Sequence, residues 1–305
     1  MLDVPVAFVT FNRPEPARLS FERIRQAQPK QLFLVSDAAR TDRDGEAELV
    51  SQTRAETEQA IDWDCDVTKI YASDNLGCGP RISSAITQAF DQVDRLIILE
   101  DDCVADPSFF RFCDQTLQRY ADDQRVMSVS GDNFQAGASR TEDSYYFSKY
   151  THCWGWATWR RAWDHFSLDI PRWPAFRDSG GLSATCGSTT EHEYWSRIFD
   201  HCHAGHVSSW AYPWQLCCWM NHGLTILPDV NLVTNIGYGE DATHTRRSDA
   251  HSNLPSFSID SIRHPTQVCR NFIADQYTDR ALYSHAVSGF KRLRRKLGLT
   301  SRRAA

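Results

Sequence analysis

The sequence predicts an α/β fold built on a mostly parallel central sheet flanked by helices, and three observations predict it. Over the first hundred residues short apolar runs alternate with amphipathic ones, the pattern of parallel strands joined by helical crossovers. The apolar run Leu96 to Leu99 passes directly into Glu100, Asp101 and Asp102, as a buried strand does when its carboxyl end emerges at a ligand-binding edge. Nine of the ten tryptophans fall between Trp154 and Trp219, so the chain changes character in its second half.

The elements follow in order. VPVAFVTF (4–11) opens as a buried strand, and the turn NRPEP leads to a helix over 16–28 with Leu19, Phe21, Ile24 and Ala27 on one face. QLFLVSD (31–37) is a second strand ending on a carboxylate, and AARTDRDGEAE feeds a helix that runs to about residue 61. DVTKIYAS (66–73) is the third strand; NLGCGPRISSAITQAF (75–90) is a Gly-rich turn entering a helix that turns Ile82, Ala85, Ile86 and Phe90 inward. RLIILEDDC (95–103) is the most emphatic strand, PSFFRFCDQTL the helix behind it, and VMSVSG (126–131) one further strand. Near the far end NLVTNIG reads as a strand and GYGEDATHT as a glycine-flanked polar loop able to close over a ligand. The chain divides near residue 130 into a nucleotide-type half (1–130) and an aromatic-rich half (131–275), followed by a basic tail (276–305). No linker composition separates the halves, so they are expected to share one sheet.

Composition narrows the function. With 41% hydrophobic and 24% charged residues the chain has material for a sizeable core. No run approaches the ~20 apolar residues of a membrane span, and the start lacks the basic and apolar regions of a secretory signal. The ten cysteines are scattered without a CxxC pair, which fits the reduced thiols of a cytoplasmic protein. Net charge is −6, yet residues 281–305 hold seven cations and no acid, leaving −13 on the rest. An acidic body argues against nucleic acid as a partner. The tail, with Phe290, Leu293 and Leu297 at helical spacing, suits either peripheral contact with the inner face of a membrane or a solvated terminus.

Three successive acids at a strand end are costly to desolvate, and a divalent cation is the simplest remedy. Hard oxygen ligands suit Mn2+ or Mg2+, with phosphate and water completing the shell. The other use for such acids is capping a helix, by Asp102 or Asp106; Asp106-Pro107 fits that use and leaves 100–102 for a ligand. Arg13, Asp37 and Arg81 would reach the same edge, where a carboxylate can accept from a base or ribose and an arginine can grip a diphosphate. NLGCGP is neither a GxGxxG fingerprint nor a P-loop, which disfavours dinucleotide and NTPase readings.

Taken together, VAFVTFNRPEP, SDAAR, NLGCGPRISSAITQAF and LIILEDDCVADPSFFRF resemble GT-A glycosyltransferases, and among them the inverting N-acetylglucosaminyltransferase I type and its bacterial nucleotide-diphospho-sugar transferase relatives. The likeness spans about residues 4 to 245, and the order of strand, DXD-like acids, spacer and DPSFF is its most specific part. It implies a GT-A fold and transfer of a hexosyl or N-acetylhexosaminyl group from a nucleotide-diphosphate donor, UDP-linked for preference, to a saccharide or glycolipid acceptor. It also implies Asp102 as metal ligand, Glu100 and Asp101 toward water, ribose or donor sugar, Asp37 toward the base, and Arg13 and Arg81 toward the nucleotide. His244 would meet the metal or the diphosphate.

On the acceptor side CWGWATWRRAW is similar to the Gly-Trp segment of these enzymes, and Trp154, Trp156 and Trp214 are candidate sugar platforms, although tryptophans are more often core. An inverting transfer needs a carboxylate base; Glu193 matches by position, with Glu191 second. Ala211 and Pro213 stand where an acid or amide is expected from the resemblance, so either the acceptor differs or the base lies elsewhere. Two rivals remain. A sugar-1-phosphate nucleotidyltransferase would share the architecture but open with a Gly-rich GxGTRxxP-like turn, absent after VAFVT; a glycan-binding protein would ignore UDP and Mn2+.

Overall fold

The computed structural model describes residues 1–237 and 253–284. Its first half runs β1 (Val6–Thr10), α1 (Pro14–Ala27), β2 (Gln31–Ser36), α2 (Glu46–Gln59), β3 (Asp66–Tyr71), α3 (Cys78–Phe90), β4 (Arg95–Glu100), β5 (Cys103–Ala105), α4 (Pro107–Arg119) and β6 (Val126–Ser130). The second half contributes β7 (Tyr145–Ser148), β8 (Trp156–Trp159), the short helices α5 (Arg160–Trp163), α6 (Trp173–Asp178) and α7 (Gly181–Thr185), and the longer α8 (Thr189–His203) and α9 (Ala211–Met220). It closes with β9 (Leu224–Pro228), β10 (Val233–Asn235), α10 (Phe272–Thr278) and a π-helical turn, Asp279–Ser284.

Eight strands form one sheet in the order β3-β2-β1-β4-β8-β6-β9-β7. β1 to β4 are mutually parallel, with Val6 opposite Leu32 and Ile97. β8 enters antiparallel between β4 and β6, β9 lies parallel to β6, and β7 runs antiparallel to β9 at the edge. Strands of both halves thus belong to a single α/β sheet.

The pattern of apolar residues explains the layering. Along a strand successive side chains point to opposite faces, so a strand covered on both sides must be apolar throughout. Val6, Phe8, Leu32, Leu34, Ile97 and Leu99 meet Phe21 and Ile24 of α1 and Phe109 and Phe112 of α4. Ala7, Val9, Phe33, Val35, Leu96 and Ile98 meet Ile82, Ile86 and Phe90 of α3 and Trp214 of α9 on the other face. Phe8 and Phe109 are fully buried, and truncating either to Ala should cost about 3–5 kcal/mol. A third cluster under α6 to α9 gathers Tyr150, Trp173, Trp195, Phe199 and Trp219.

The long strand expected over 95–103 is in fact two. β4 stops at Glu100, the chain turns at Asp101 and Asp102, and β5 leaves the main sheet to pair antiparallel with β10, Cys103 opposite Asn235. Asp106 is the N-cap of α4, its carboxylate accepting from the Ser108 N–H at 2.8 Å with Pro107 in the first turn, a device contributing about 1 kcal/mol. Among the described residues no helix is long and apolar enough to cross a membrane.

Candidate active site

The turn between β4 and β5 places the acids at the carboxyl edge of the parallel strands. Its main chain is pinned from two sides: Ser20 Oγ on α1 donates to the Asp101 carbonyl at 2.9 Å, and the Ile236 N–H, just past β10, donates to the Asp102 carbonyl at 2.9 Å. Arg13, in the turn between β1 and α1, pairs with the Asp101 carboxylate and donates through Nη2 to Asp102 Oδ2 at 2.9 Å. Asn235 Nδ2 donates to Asp102 Oδ1 at 3.3 Å. A β-carbon at Gly237 would collide with the Asp102 carboxylate, so a larger residue there must displace the carboxylate or the chain.

The electrostatics follow from three carboxylates sharing one arginine. Burial and the neighbouring Asp102 and Asp101 push the Glu100 carboxyl well above its usual range, partly offset by Arg13 and a hydrogen bond from Trp210. Burial also raises Asp101, against the pull of Arg13. Burial would lower the Arg13 pKa, but Asp101 and Asp102 outweigh it and hold the guanidinium charged. Such a set fits Mn2+ or Mg2+, which are held by one or two protein carboxylates with the remaining oxygens from phosphate and water. Among the described residues no three His, Cys, Asp or Glu side chains enclose a metal by themselves.

Asp37, at the end of β2, is 6% exposed and is occupied by main chain: it accepts from the N–H groups of Ala38 at 3.0 Å, Leu76 at 3.0 Å and Gly77 at 2.8 Å. It therefore shapes the Gly-rich turn, where Gly77 takes the left-handed φ of +79°, and does not extend an open carboxylate toward a base. The turn leads into α3, whose Cys78 thiol is pushed up to about 12 by burial and then by Glu100, Asp102, Asp37 and Asp101, which surround it. One turn on, Arg81 is 5% exposed, and among the described residues its Nε and Nη2 have no hydrogen-bond partner. Burial lowers its pKa, with Asp37 opposing. A β-carbon on Gly79 would press to 3.3 Å from the Ser209 N–H, so the segment before α9 abuts this turn.

The candidates of the second half separate. Glu191 is 1% exposed, ion-paired with Lys149, and accepts from Tyr150 Oη at 2.6 Å and the Gly187 N–H at 2.7 Å. Those bonds occupy both carboxylate oxygens in the interior, which corrects its assignment as a base facing an acceptor. Glu193, two residues along α8, is exposed in a groove with Arg197, Asp200, His201 and His206. Trp156 and Trp214 are each 1% exposed, packed on each other at 5.8 Å between ring centroids, and Trp156 stacks on Trp210 at 4.7 Å. Both are core, not sugar platforms, because Trp156 projects from β8 onto the sheet face that α9 covers with Trp214. Trp154 is half-buried against Phe134. His244 lies outside the described residues, as does most of the polar loop expected over 237–245.

No protein-family model and no curated protein sequence matches the chain. Among solved structures it is similar to a mannosyltransferase from Pyrobaculum calidifontis in complex with GDP-Man and Mn2+, at 14% identity and TM-score 0.39, covering 73% of this chain and 76% of that one. TarS of S. aureus gives 10% identity and TM-score 0.41 over 76% of this chain and 36% of that one. A UDP-glucose pyrophosphorylase complexed with UDP-glucose gives 9% identity and TM-score 0.33 over 54% and 79%.

Two residues of the site escaped sequence reasoning. Asn235 reads as a strand-end hydrogen bonder, and only the β5–β10 pairing carries it to Asp102. Asp132, fully buried, accepts from the Trp154 N–H at 2.9 Å while its Oδ1 has no partner among the described residues, and burial pushes its carboxyl well up. The single signal for it is an acid two residues beyond the strand VMSVS, after Gly131.

Proposed function

We propose that the chain is a metal-dependent GT-A glycosyltransferase that moves a sugar from a nucleotide-diphosphate donor, UDP-linked for preference, to a saccharide or glycolipid acceptor with inversion. One observation carries the reading: of three consecutive acids at a strand edge, Asp101 and Asp102 share one arginine, Arg13, while Arg81 is buried at the start of the neighbouring helix with two nitrogens unpaired among the described residues. A nucleoside diphosphate with a divalent cation complements both halves of that arrangement.

Asp102 and Glu100 are the residues to hold Mn2+ or Mg2+, which when bound neutralises the diphosphate as charge develops on it. Arg13 keeps Asp101 turned inward, so that Asp101 supports the turn. Arg81 offers its free nitrogens to diphosphate oxygens, at a helix end whose own N–H groups favour an anion. Asp37 acts by shaping the turn beneath the nucleotide. Glu193 is the base in this reading: it takes the acceptor hydroxyl proton as the new bond to the anomeric carbon forms and the bond to the diphosphate breaks. His244 belongs to the diphosphate side and Trp154 to the acceptor side of the same proposal. Contact with a membrane through the basic tail 276–305 completes it for a glycolipid acceptor.

The test is isothermal titration of UDP, GDP, CDP and dTDP, each with and without Mn2+, into wild type and Asp102→Ala. Metal-dependent binding of one diphosphate, lost in the variant, is the expected result and names the donor base. Release of pyrophosphate from NTP and sugar 1-phosphate would instead identify a nucleotidyltransferase, and indifference to all four a glycan-binding protein.

A further inference from the structure

Asp132 is a buried acid whose second oxygen is bare. Its Oδ2 accepts the Trp154 N–H at 2.9 Å and the Ser130 hydroxyl at 3.4 Å, and Oδ1 has no partner among the described residues. Burial raises the carboxyl against hydrogen bonds from Trp154, Ser130 and Cys153, with no cation among the groups that act on it. Other buried acids spend both oxygens. Glu191 uses its pair on Lys149, Tyr150 and Gly187, Asp275 on Ser148, Lys149 and Arg270, and Asp37 on Ala38, Leu76 and Gly77. A buried polar group is ordinarily satisfied, so an oxygen left over in the interior asks for a partner from outside the chain.

The fold sets this oxygen beside the acid turn. β8 runs antiparallel to both β4 and β6, so β4 and β6 are parallel and their carboxyl ends open on one edge; Asp132 lies two residues past the end of β6. β10 touches both places. A β-carbon on Gly131 or on Gly155 would run into Val233, while Asn235, two residues on and on the same face of the strand, holds Asp102. Two residues of strand span about 7 Å. The thiols of Cys103 and Cys153 feel the whole group: burial raises both, and so do Glu100, Asp102 and Asp132. Cys153 and Trp154 are themselves half-buried, so Asp132 lies directly behind an accessible wall.

We propose that Asp132 is a sugar-recognition residue of the donor site, its Oδ1 bonded to a hydroxyl of the sugar to be transferred. The inference rests on the nucleotide-sugar reading above and adds to it the residue that reads the sugar. Chemistry selects the hydroxyl among the parts of such a donor. A diphosphate offers acceptors and negative charge, which a carboxyl repels, whereas a hydroxyl both donates and accepts and so complements a carboxyl oxygen. A buried group satisfied by a substrate hydroxyl also discriminates, because a donor that does not supply that hydroxyl leaves the group unpaired again.

The test compares sugar-bearing and bare nucleotides on the full chain. UDP, UDP-glucose, UDP-N-acetylglucosamine, GDP and GDP-mannose, each with Mn2+, are titrated calorimetrically into wild type, Asp132→Ala and Asp132→Asn, with folding checked by circular dichroism. The quantity read is the ratio of affinities for a nucleotide-sugar and its own nucleotide. Asp132→Ala should keep the affinity for the bare nucleotide within about twofold and lower the ratio about tenfold, the loss of one buried hydrogen bond. Asp132→Asn keeps the oxygen that Trp154 holds and puts an amide NH2 in place of Oδ1, so it should lower the ratio by less. In either variant an unchanged ratio, whether the two affinities hold or fall together, would overturn the inference and leave Asp132 a structural acid. If wild type binds none of the five, the nucleotide-sugar reading fails and this inference with it; if it binds them and the ratio does not move, this inference fails alone.

Discussion

The Asn235 side-chain amide donates to Oδ1 of Asp102 at 3.3 Å while its own oxygen accepts the Gly237 N–H at 2.8 Å, so one buried residue ties the acid turn to the chain passing over it. Asn235→Ala removes both bonds and leaves Asp102 to follow Arg13. Stability should fall by about 1–3 kcal/mol from the orphaned N–H. The rise in melting temperature produced by UDP with Mn2+ should shrink in step with roughly tenfold weaker binding. An undiminished rise would mean that Asn235 does not orient Asp102.

Gly237→Ala tests the same crowding from the other side. A methyl there collides with the Asp102 carboxylate, so either the carboxylate or the chain must move. Overpacking of this kind costs about 1–3 kcal/mol, read as a lower midpoint in urea. Donor affinity should drop with it. A second change, Asp102→Ala in the Gly237→Ala background, should recover part of the stability because the obstructing carboxylate is gone.

Arg81→Met separates stability from binding. The guanidinium is buried with two nitrogens unpaired, a cost the folded chain bears without a ligand. Replacing it by an apolar side chain of similar length should leave the melting temperature unchanged or raised, while affinity for the nucleoside diphosphate falls about tenfold or more. A variant that is destabilised and binds normally would assign Arg81 a purely structural role.

Glu191 and Glu193 should behave oppositely. Glu191→Gln leaves Lys149 buried without its counter-charge, which should destabilise by about 3–5 kcal/mol in thermal or urea unfolding. Glu193→Gln, on the exposed face of α8, should alter stability by no more than about 0.5 kcal/mol yet slow sugar transfer at least ~100-fold if it is the base. Unchanged turnover would move that role to another residue.

How far the site was legible depends on how local its causes are. Asp106 as a cap was readable because a cap is set by its immediate neighbours, Pro107 and Ser108. The break at Asp101 and Asp102 was not: β5 turns away only because a partner strand more than a hundred residues later takes its hydrogen bonds. Trp156 and Trp214 illustrate the same limit. Nothing in an aromatic run distinguishes a sugar shelf from a core, and their burial is decided by β8 lying between β4 and β6 and by α9 packing over that face of the sheet. Asp37 was placed at the right strand end, but its partners come from the turn at 76–77, so its carboxylate is consumed before it can meet a base.

The sequence by itself determined the alternation of the first half, the two-faced apolar strands, the acids at the edge of β4 and the opposed charges of body and tail, because each is a matter of periodicity or composition. Tertiary structure alone decided which acid meets Arg13, that Asn235 and Gly237 close on Asp102, that Glu191 is spent on Lys149, and that Asp132 keeps one oxygen without a partner among the described residues. Those outcomes depend on strand order and on contacts between distant segments, and a hydrogen bond or an ion pair between distant residues exists only once the fold has brought them within about 3 Å.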